Sequence, residues 1–567
     1  MAGSYWDKFA QQRVSRRRAL QGAGMAGATA GAIWIVGCGG GDDDGTATGS
    51  PQATQETGTP KRGGRYAEGS TADFDTFDPY IGIAASVGYF PRLYNVLANF
   101  SALDSTFRFD DLSTEFEQPD DLTYVFTIRP GVKVAPNALG VPERDLDASD
   151  IVTSYERIKT LPQSNAYGFI GQWVESQEAS PDNMTYTLGT PKPYAYFRNR
   201  IGSGINTIAP KEALTDANLP KLKQQAAGAG PFMLSNYTEG QGAALDRNPN
   251  YYRKDENNNN EQLPYIDGID VKIITVRDTL RAAFQSNQLS VYTAANVEEA
   301  NQLQQGQSYK VVRNPVNTFI AYAMNPTREP FDDDRIRLAA LYALNRQEYI
   351  DKVYFGEAKA NGIVHWPQGD LSLPDDELAE LQPFDPQKSR DLIRAATGQD
   401  TVKIKVMWPA ESDIEEHRLH LPIWLEQMQA AGFEIESQAE AFGTWLDRYT
   451  NLDYDSSLSL NQVYEYAEFN MDFQHSEGPA RNNIYAIGLG KLYPEIDADI
   501  DRVKTLTDPE QFREGMHDLQ RLIYEKGPTF IPIVSPFSFT MYQPYVRAIP
   551  EGIGASGLFV NTWWLDL

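Results

Sequence analysis

The stretch Gly228 to Arg253, GAGPFMLSNYTEGQGAALDRNPNYYR, constrains this chain more than any other. Phe232, Leu234 and the ring of Tyr237 supply the apolar positions of a short strand. Glu239-Gly-Gln-Gly242 offers two residues free to adopt positive φ, as a tight turn requires. Ala243 to Arg247 reads as the returning strand, and Asn248-Pro249-Asn250 stops it before the pair Tyr251-Tyr252. Such a hairpin points to an α/β or β-rich globular domain. The chain of 567 residues is too long for one core and fits roughly three or four units of about 150 residues.

Hydrophobic residues make up 41% of the chain, enough for a large core, which excludes a disordered protein. Thirty Tyr and 9 Trp exceed what packing needs, so some are expected to line a ligand surface. The formal charge of -27 argues against a nucleic-acid backbone as partner. The single cysteine, Cys38, excludes an internal disulfide and a cysteine-based zinc site.

The N-terminus speaks for export. Ser15-Arg-Arg-Arg-Ala-Leu-Gln21 follows the twin-arginine pattern, with Arg16 and Arg17 as its pair, Ala19 where Phe is usual and Gln21 where Lys is usual. The uncharged, glycine-interrupted run that follows is too weakly apolar for a permanent membrane helix. Ile35-Val-Gly-Cys38 matches a lipobox, so Cys38 is expected to carry the lipid that anchors the chain on the outer side of a cytoplasmic membrane or in a periplasm. Residues 39 to about 60 are a Gly/Asp/Thr/Ser-rich tether. Gly22-Ala-Gly-Met-Ala-Gly27 fits a dinucleotide fingerprint by letter but follows arginines instead of a strand, so no cofactor is expected.

Globular patterning begins near Lys61. Tyr124, Phe126 and Ile128 continue an alternation begun at Leu122, which predicts a half-buried strand. Asp147 caps a helix with Val152, Tyr155 and Ile158 on one face. Asn317 to Asn325 reads as a strand, and apolar residues from Ile336 to Tyr354 as a helix. Asp385-Pro386 opens another helix that ends at Gly398. Val402 to Trp408, a helix through Leu421 and Met428, and Phe433 to Ser437 spell a parallel crossover. Asp508-Pro509 caps a last helix before the strand Thr529 to Val534.

No phosphate loop, nucleophile elbow or H-E-x-x-H zinc motif occurs, and the carboxylates form no recognisable acid–base pair, so no catalytic residue is named and no enzyme is expected. The five histidines are scattered at 365, 417, 420, 475 and 517. Glu416 and His420 share a helical face, but a charge-rich helix start explains them, and no metal site is expected.

Several of these segments carry a resemblance. Gly228 to Arg253 resembles the "G-t-G-P-y-x-L … L-x-R-N-P-x-Y" signature of the extracytoplasmic solute-binding proteins, family 5, of the oligopeptide, dipeptide and nickel ABC importers. Leu263 to Asp267 (LPYID), Pro330 to Arg337 (PFDDDRIR) and Asp147 to Tyr155 match further pieces in order, so that the likeness spans residues 61 to 550. It implies an α/β, two-lobed periplasmic-binding-protein-like fold of the large type II (cluster C) kind, with an extra subdomain in the first lobe. The expected boundaries are 61–100, 206–316 and 540–567 for the first lobe, 101–205 for the inserted subdomain and 317–539 for the second lobe. It further implies capture of a peptide or peptide-like solute by lobe closure and delivery to a membrane permease driven by a partner ATPase. Alternatives are the same fold binding an oligosaccharide, an opine or a nickel chelate, or a secreted hydrolase or ligand sensor without a transport role.

Peptide binders of that family carry a W-x-x-D-Y-x-D-P type segment whose aspartate takes the ligand's α-ammonium. Here the chain reads Asn461-Gln-Val-Tyr-Glu-Tyr-Ala-Glu468, without the Trp and the Asp-Pro. Glu468, or Glu465, stands as the substitute, since a carboxylate one methylene longer still pairs with an ammonium; the alternative is two surface acids in a reshaped loop. Trp408, Trp445, Tyr322, Tyr464 and Asn483 complete the expected ligand contacts, with a place in the core as the alternative for Trp408 and Trp445.

Overall fold

The computed structural model describes residues 58–82, 86–101, 106–108, 111–315, 318–410, 415–462, 467–478, 487–549 and 562–567. Arg16, Arg17, the glycine run at 22–27 and Cys38 lie outside the described residues.

The Gly228 hairpin forms as expected, with strands Phe232–Thr238 and Gly242–Arg247. A bulge between Leu234 and Asn236 explains the three-residue spacing from Leu234 to Tyr237. Gly240 and Gly242 have φ of 73° and 138°, and a Cβ on Gly242 would lie 1.9 Å from the Val271 carbonyl oxygen. Two further strands, Gly268–Ile273 and Arg65–Ser70, complete a four-stranded mixed sheet. The signature residues hold this sheet to its surroundings. Asn248 is buried and donates from Nδ2 to the Gly230 carbonyl at 2.8 Å. Arg247 pairs with Asp267 at 2.7 Å. Gly230 donates its N–H to the Leu93 carbonyl at 3.1 Å.

A second sheet is antiparallel: Ser113–Glu117, Thr123–Ile128, Thr185–Gly189 and Ser176–Ala179, in that order. Tyr124, Phe126 and Ile128 are buried, whereas Leu122 precedes the strand and is exposed. The helix Ala148–Lys159 covers this unit, opened by a capping box between Asp147 and Asp150. It buries Ile151, Ser154, Tyr155 and Ile158, and Val152 is only half-buried.

The third sheet has eight strands. Phe433–Glu440 pairs parallel with Val402–Pro409, as the crossover pattern predicts. Ser456–Gln462 lies parallel on the other side of Val402–Pro409, with Met407 opposite Ser457. Thr318–Met324 runs antiparallel between Ser456–Gln462 and Phe530–Tyr542. The last strand is thirteen residues long and changes partners along its length. From Phe530 to Val534 it pairs with Thr318–Met324, and from Val534 to Pro536 with Ala358–Ala360. From Phe537 to Tyr542 it pairs with Lys310–Pro315, and its last four residues also pair with Val291–Ala294. A separate apolar cluster that includes Phe284, Leu289, Tyr292 and Met541 packs at that end.

The chain is thus a two-lobed α/β protein. The helix expected from Ile336 to Tyr354 is two helices, Asp334–Tyr342 and Arg346–Lys352. Asn345 caps the second through Glu348 N–H, which breaks the run at a position where periodicity alone sees none.

Candidate functional site

Strand direction locates the site. Val402–Pro409, Phe433–Glu440 and Ser456–Gln462 are mutually parallel, and Phe530–Tyr542 shares their direction because both it and Ser456–Gln462 oppose Thr318–Met324. All four carboxyl ends therefore point the same way. Gln462 pairs with Thr318, the first residue of its strand, so the carboxyl ends of Val402–Pro409, Phe433–Glu440 and Ser456–Gln462 lie on the side where the chain arrives from Lys310–Pro315, and Phe530–Tyr542 runs on past that point to pair with Lys310–Pro315. Open parallel sheets bind ligands outside their carboxyl ends.

Three sequence-predicted residues follow these strands. Trp408 stands near the end of the first, half-buried, its Nε1 donating to Ser437 Oγ at 2.7 Å. Trp445 lies on the helix Phe442–Thr450 that follows the second strand, 4% exposed. Its Nε1 donates to Ser457 Oγ at 3.2 Å, and its ring stacks on Tyr449 at 5.1 Å. Glu468 belongs to the helix Ala467–Asp472 that follows the third strand, and its side chain lies outside the described residues. Tyr464, Glu465 and Asn483 lie outside them entirely.

The sheet separates two of these residues. Register places Trp408 level with Leu458 and Leu458 opposite Tyr322, so Tyr322 and Trp408 share a face. Trp445 packs on Ser457 and hence on the opposite face. Tyr322 is fully buried, 4.9 Å from the Trp424 ring, and its hydroxyl bonds to Ser456 Oγ at 3.0 Å. Burial raises its pKa well above the usual phenol range. Tyr322 thus fills the core between sheet and helix, while Trp408 is a half-buried ring near the carboxyl end of its strand.

A buried ion pair that sequence reading missed supports the helix Ala467–Asp472. Asp472, its last residue, receives Lys504 Nζ at 2.5 Å, both side chains nearly without solvent contact. The two residues are 32 positions apart, so no local pattern announces them.

A cavity of about 330 Å³ lies elsewhere, lined by Lys359, Trp366, Asp370, Arg513 and His517 among others. Lys359 belongs to Ala358–Ala360, across the Phe530–Tyr542 strand from the parallel strands. Four inter-strand steps separate it from Val402–Pro409, roughly 19 Å. Lys359 pairs with Ser535, midway along Phe530–Tyr542, so the cavity flanks the middle of that strand and not the carboxyl ends of the three parallel strands. His420 is buried with its ring 5.3 Å from that of Tyr349, and the side chain of Glu416 lies outside the described residues. Among the described residues no three His, Cys, Asp or Glu side chains are grouped to hold a metal, and no helix is long and apolar enough to cross a membrane.

Comparison with known proteins agrees with this architecture. Residues 110–478 match the model of the bacterial extracellular solute-binding proteins, family 5. The chain is 27% identical over 517 residues to the di/tripeptide-binding protein 3 of Pseudomonas aeruginosa, covering 86% of this chain and 91% of that one. Among solved structures it resembles the periplasmic binding protein DppA from Helicobacter pylori in complex with the peptide STSA, with a TM-score of 0.72, 17% identity, and coverage of 89% and 99%. It resembles AgaA from A. tumefaciens R10 in complex with agropinic acid to the same degree, with a TM-score of 0.72, 17% identity, and coverage of 89% and 99%.

Proposed function

The chain belongs to the bacterial extracellular solute-binding proteins of family 5, and we propose that it captures a peptide-like solute between its lobes and delivers it to an ABC-type permease. The observation that carries this is the shared direction of Val402–Pro409, Phe433–Glu440 and Ser456–Gln462, whose carboxyl ends lie on the side where the chain arrives from Lys310–Pro315. A ligand bound there touches both lobes, so it favours the closed form by whatever it binds more tightly in that form. The similarity to a di/tripeptide-binding protein supports a peptide as the ligand class. An extended peptide would be held chiefly through its main chain, with side chains in loosely selective pockets. Glu468, at the start of the helix after Ser456–Gln462, is assigned the ligand's ammonium, and Trp408 a wall of the cleft. The lobes follow the boundaries 61–100, 206–316 and 540–567 against 317–539, with 101–205 inserted. Arg16 and Arg17 direct export, and a diacylglycerol on Cys38 tethers the protein at the membrane. The partner ATPase supplies the energy.

The likeness to a structure holding agropinic acid supports a second reading, an opine-like solute in the same cleft. A thermal-shift series on the full chain with di- to decapeptides, opines, oligosaccharides and Ni²⁺ chelates separates the two. A ligand at a hundred times its dissociation constant adds about 2.7 kcal/mol of stability. Peptide-specific shifts that shrink in E468Q, and that N-acetylated peptides do not give, support the first reading. Shifts from opines alone replace it with the second, and no shift from any class sinks the uptake role.

A further inference from the structure

We propose that Lys504 is a positioning residue that ties the helix carrying Glu468 to the inserted subdomain; the proposal builds on the ligand site assigned above. Lys504 bonds in two directions. Its ammonium holds Asp472 at 2.5 Å, at the far end of the helix Ala467–Asp472. Its carbonyl accepts the N–H of Ala195 at 2.9 Å, from the segment 101–205. Beside this bond the Tyr196 ring meets the Phe512 ring edge-on at 5.0 Å, both rings buried. Tyr194 in turn stacks on Trp173 at 3.9 Å, which anchors the segment to its own subdomain.

Burial gives the link its stiffness. Lys504 is 5% exposed and Asp472 2%, so their attraction is little screened and neither side chain moves without breaking a desolvated pair. A six-residue helix is only about 9 Å long, so a shift at Asp472 reaches residue 468 without attenuation by intervening loops. Lys504 itself is locked by its place at the end of the helix Pro494–Val503, its N–H bonded to the Ile500 carbonyl at 3.2 Å. Movement of the inserted subdomain against Lys504 is therefore passed to the ligand-side helix, and the reverse.

Hydrogen exchange on the ligand-free full chain tests this, comparing wild type with K504M, K504R and D472N. The Ala195 amide bonds to a main-chain carbonyl, which none of these substitutions removes. A merely local role for the ion pair would speed exchange in 467–472 and leave 194–197 unchanged. The coupling predicts that K504M and D472N speed exchange in both segments together, by about tenfold, while K504R stays near wild type. Exchange altered in 467–472 alone, or in neither segment, overturns the proposal, as does K504R behaving like K504M. D472N, which changes no shape, keeps the test open where K504M folds poorly. No ligand enters this comparison, so failure of every solute class to bind would defeat the ligand assignment and leave this result standing.

Discussion

Gly230 shows why a signature can be highly readable and yet say little about a binding site. A Cβ there would lie 2.6 Å from the Leu93 carbonyl carbon and 2.8 Å from the Arg92 carbonyl oxygen, because the strand enters flush against that backbone. Gly230→Ala is expected to cost about 1–3 kcal/mol, as overpacking does, seen as a lower urea midpoint; an unchanged midpoint would mean that the backbone gives way. Asn248 and Arg247 likewise serve the scaffold. The residues that mark the family are those the fold cannot replace, whereas ligand contacts sit where the fold tolerates change. Tyr322 illustrates the other side: it is expected as a ligand contact, yet it is fully buried in the core against Trp424, since nothing in a strand's period says which buried face meets a ligand. His365 gives a second test at this scale. It is buried, and desolvation lowers its pKa from 6.5 to about 3. The unfolded chain therefore binds a proton that the folded one refuses between those values. Stability should fall with acidification from about pH 6.5 toward 3, by at most about 1.4 kcal/mol per pH unit from this group. His365→Gln should flatten that part of the profile; parallel profiles for the two proteins would refute the assignment.

Elements were legible where their signals are local. Asp508 is an example: its Oδ1 accepts from Glu510 N–H and Gln511 N–H at 3.1 Å each, and Pro509 follows at the first helical position. Asp508→Ala should destabilise the chain by about 1 kcal/mol. Asp508→Ser should recover most of that in the same denaturation assay, and equal loss in both variants would argue against capping. The helix Pro386–Thr397 is framed by the same logic, with Asp385 before it and Gly398 at φ 72° after it. The strand Phe530–Tyr542 was only half visible. Its apolar run TFIPIV ends at Val534, but the strand runs on through Ser535-Pro536 because Ala358–Ala360 and then Lys310–Pro315 take over the pairing. Those partners are more than 170 residues away, so their help leaves no trace in the local pattern. Lys504 and Asp472 escaped notice for the same reason.

At the scale of the whole molecule the decisive feature is how the lobes are joined. On the proposed boundaries the chain crosses between Pro315 and Thr318 and again between Phe539 and Thr540, shortly after Phe530–Tyr542 exchanges partners near Phe537. Arg313 clamps this second crossing. Its guanidinium lies over the Phe537 ring, 3.2 Å from the centroid, and its Nε holds Glu357 at 2.6 Å. Phe537 N–H also donates to the Glu357 carbonyl at 2.9 Å. On those proposed boundaries Arg313 belongs to the first lobe and Glu357 to the second, so the pair is expected to resist relative rotation more than it stabilises either unit. Both side chains are partly exposed, at 47% and 29%, which limits the pair's contribution to stability to about 1 kcal/mol or less. Arg313→Gln should therefore leave the melting temperature nearly unchanged. It should also let the lobes sample wider angles, raising the radius of gyration of the ligand-free full chain in small-angle scattering. Ligand should bring the variant back toward the wild-type closed value, because closure energy comes from contacts across the cleft and not from the clamp. Scattering curves that superimpose for variant and wild type without ligand would show that the crossing strand alone sets the lobe angle. A large drop in melting temperature would show that Arg313 holds the fold itself together.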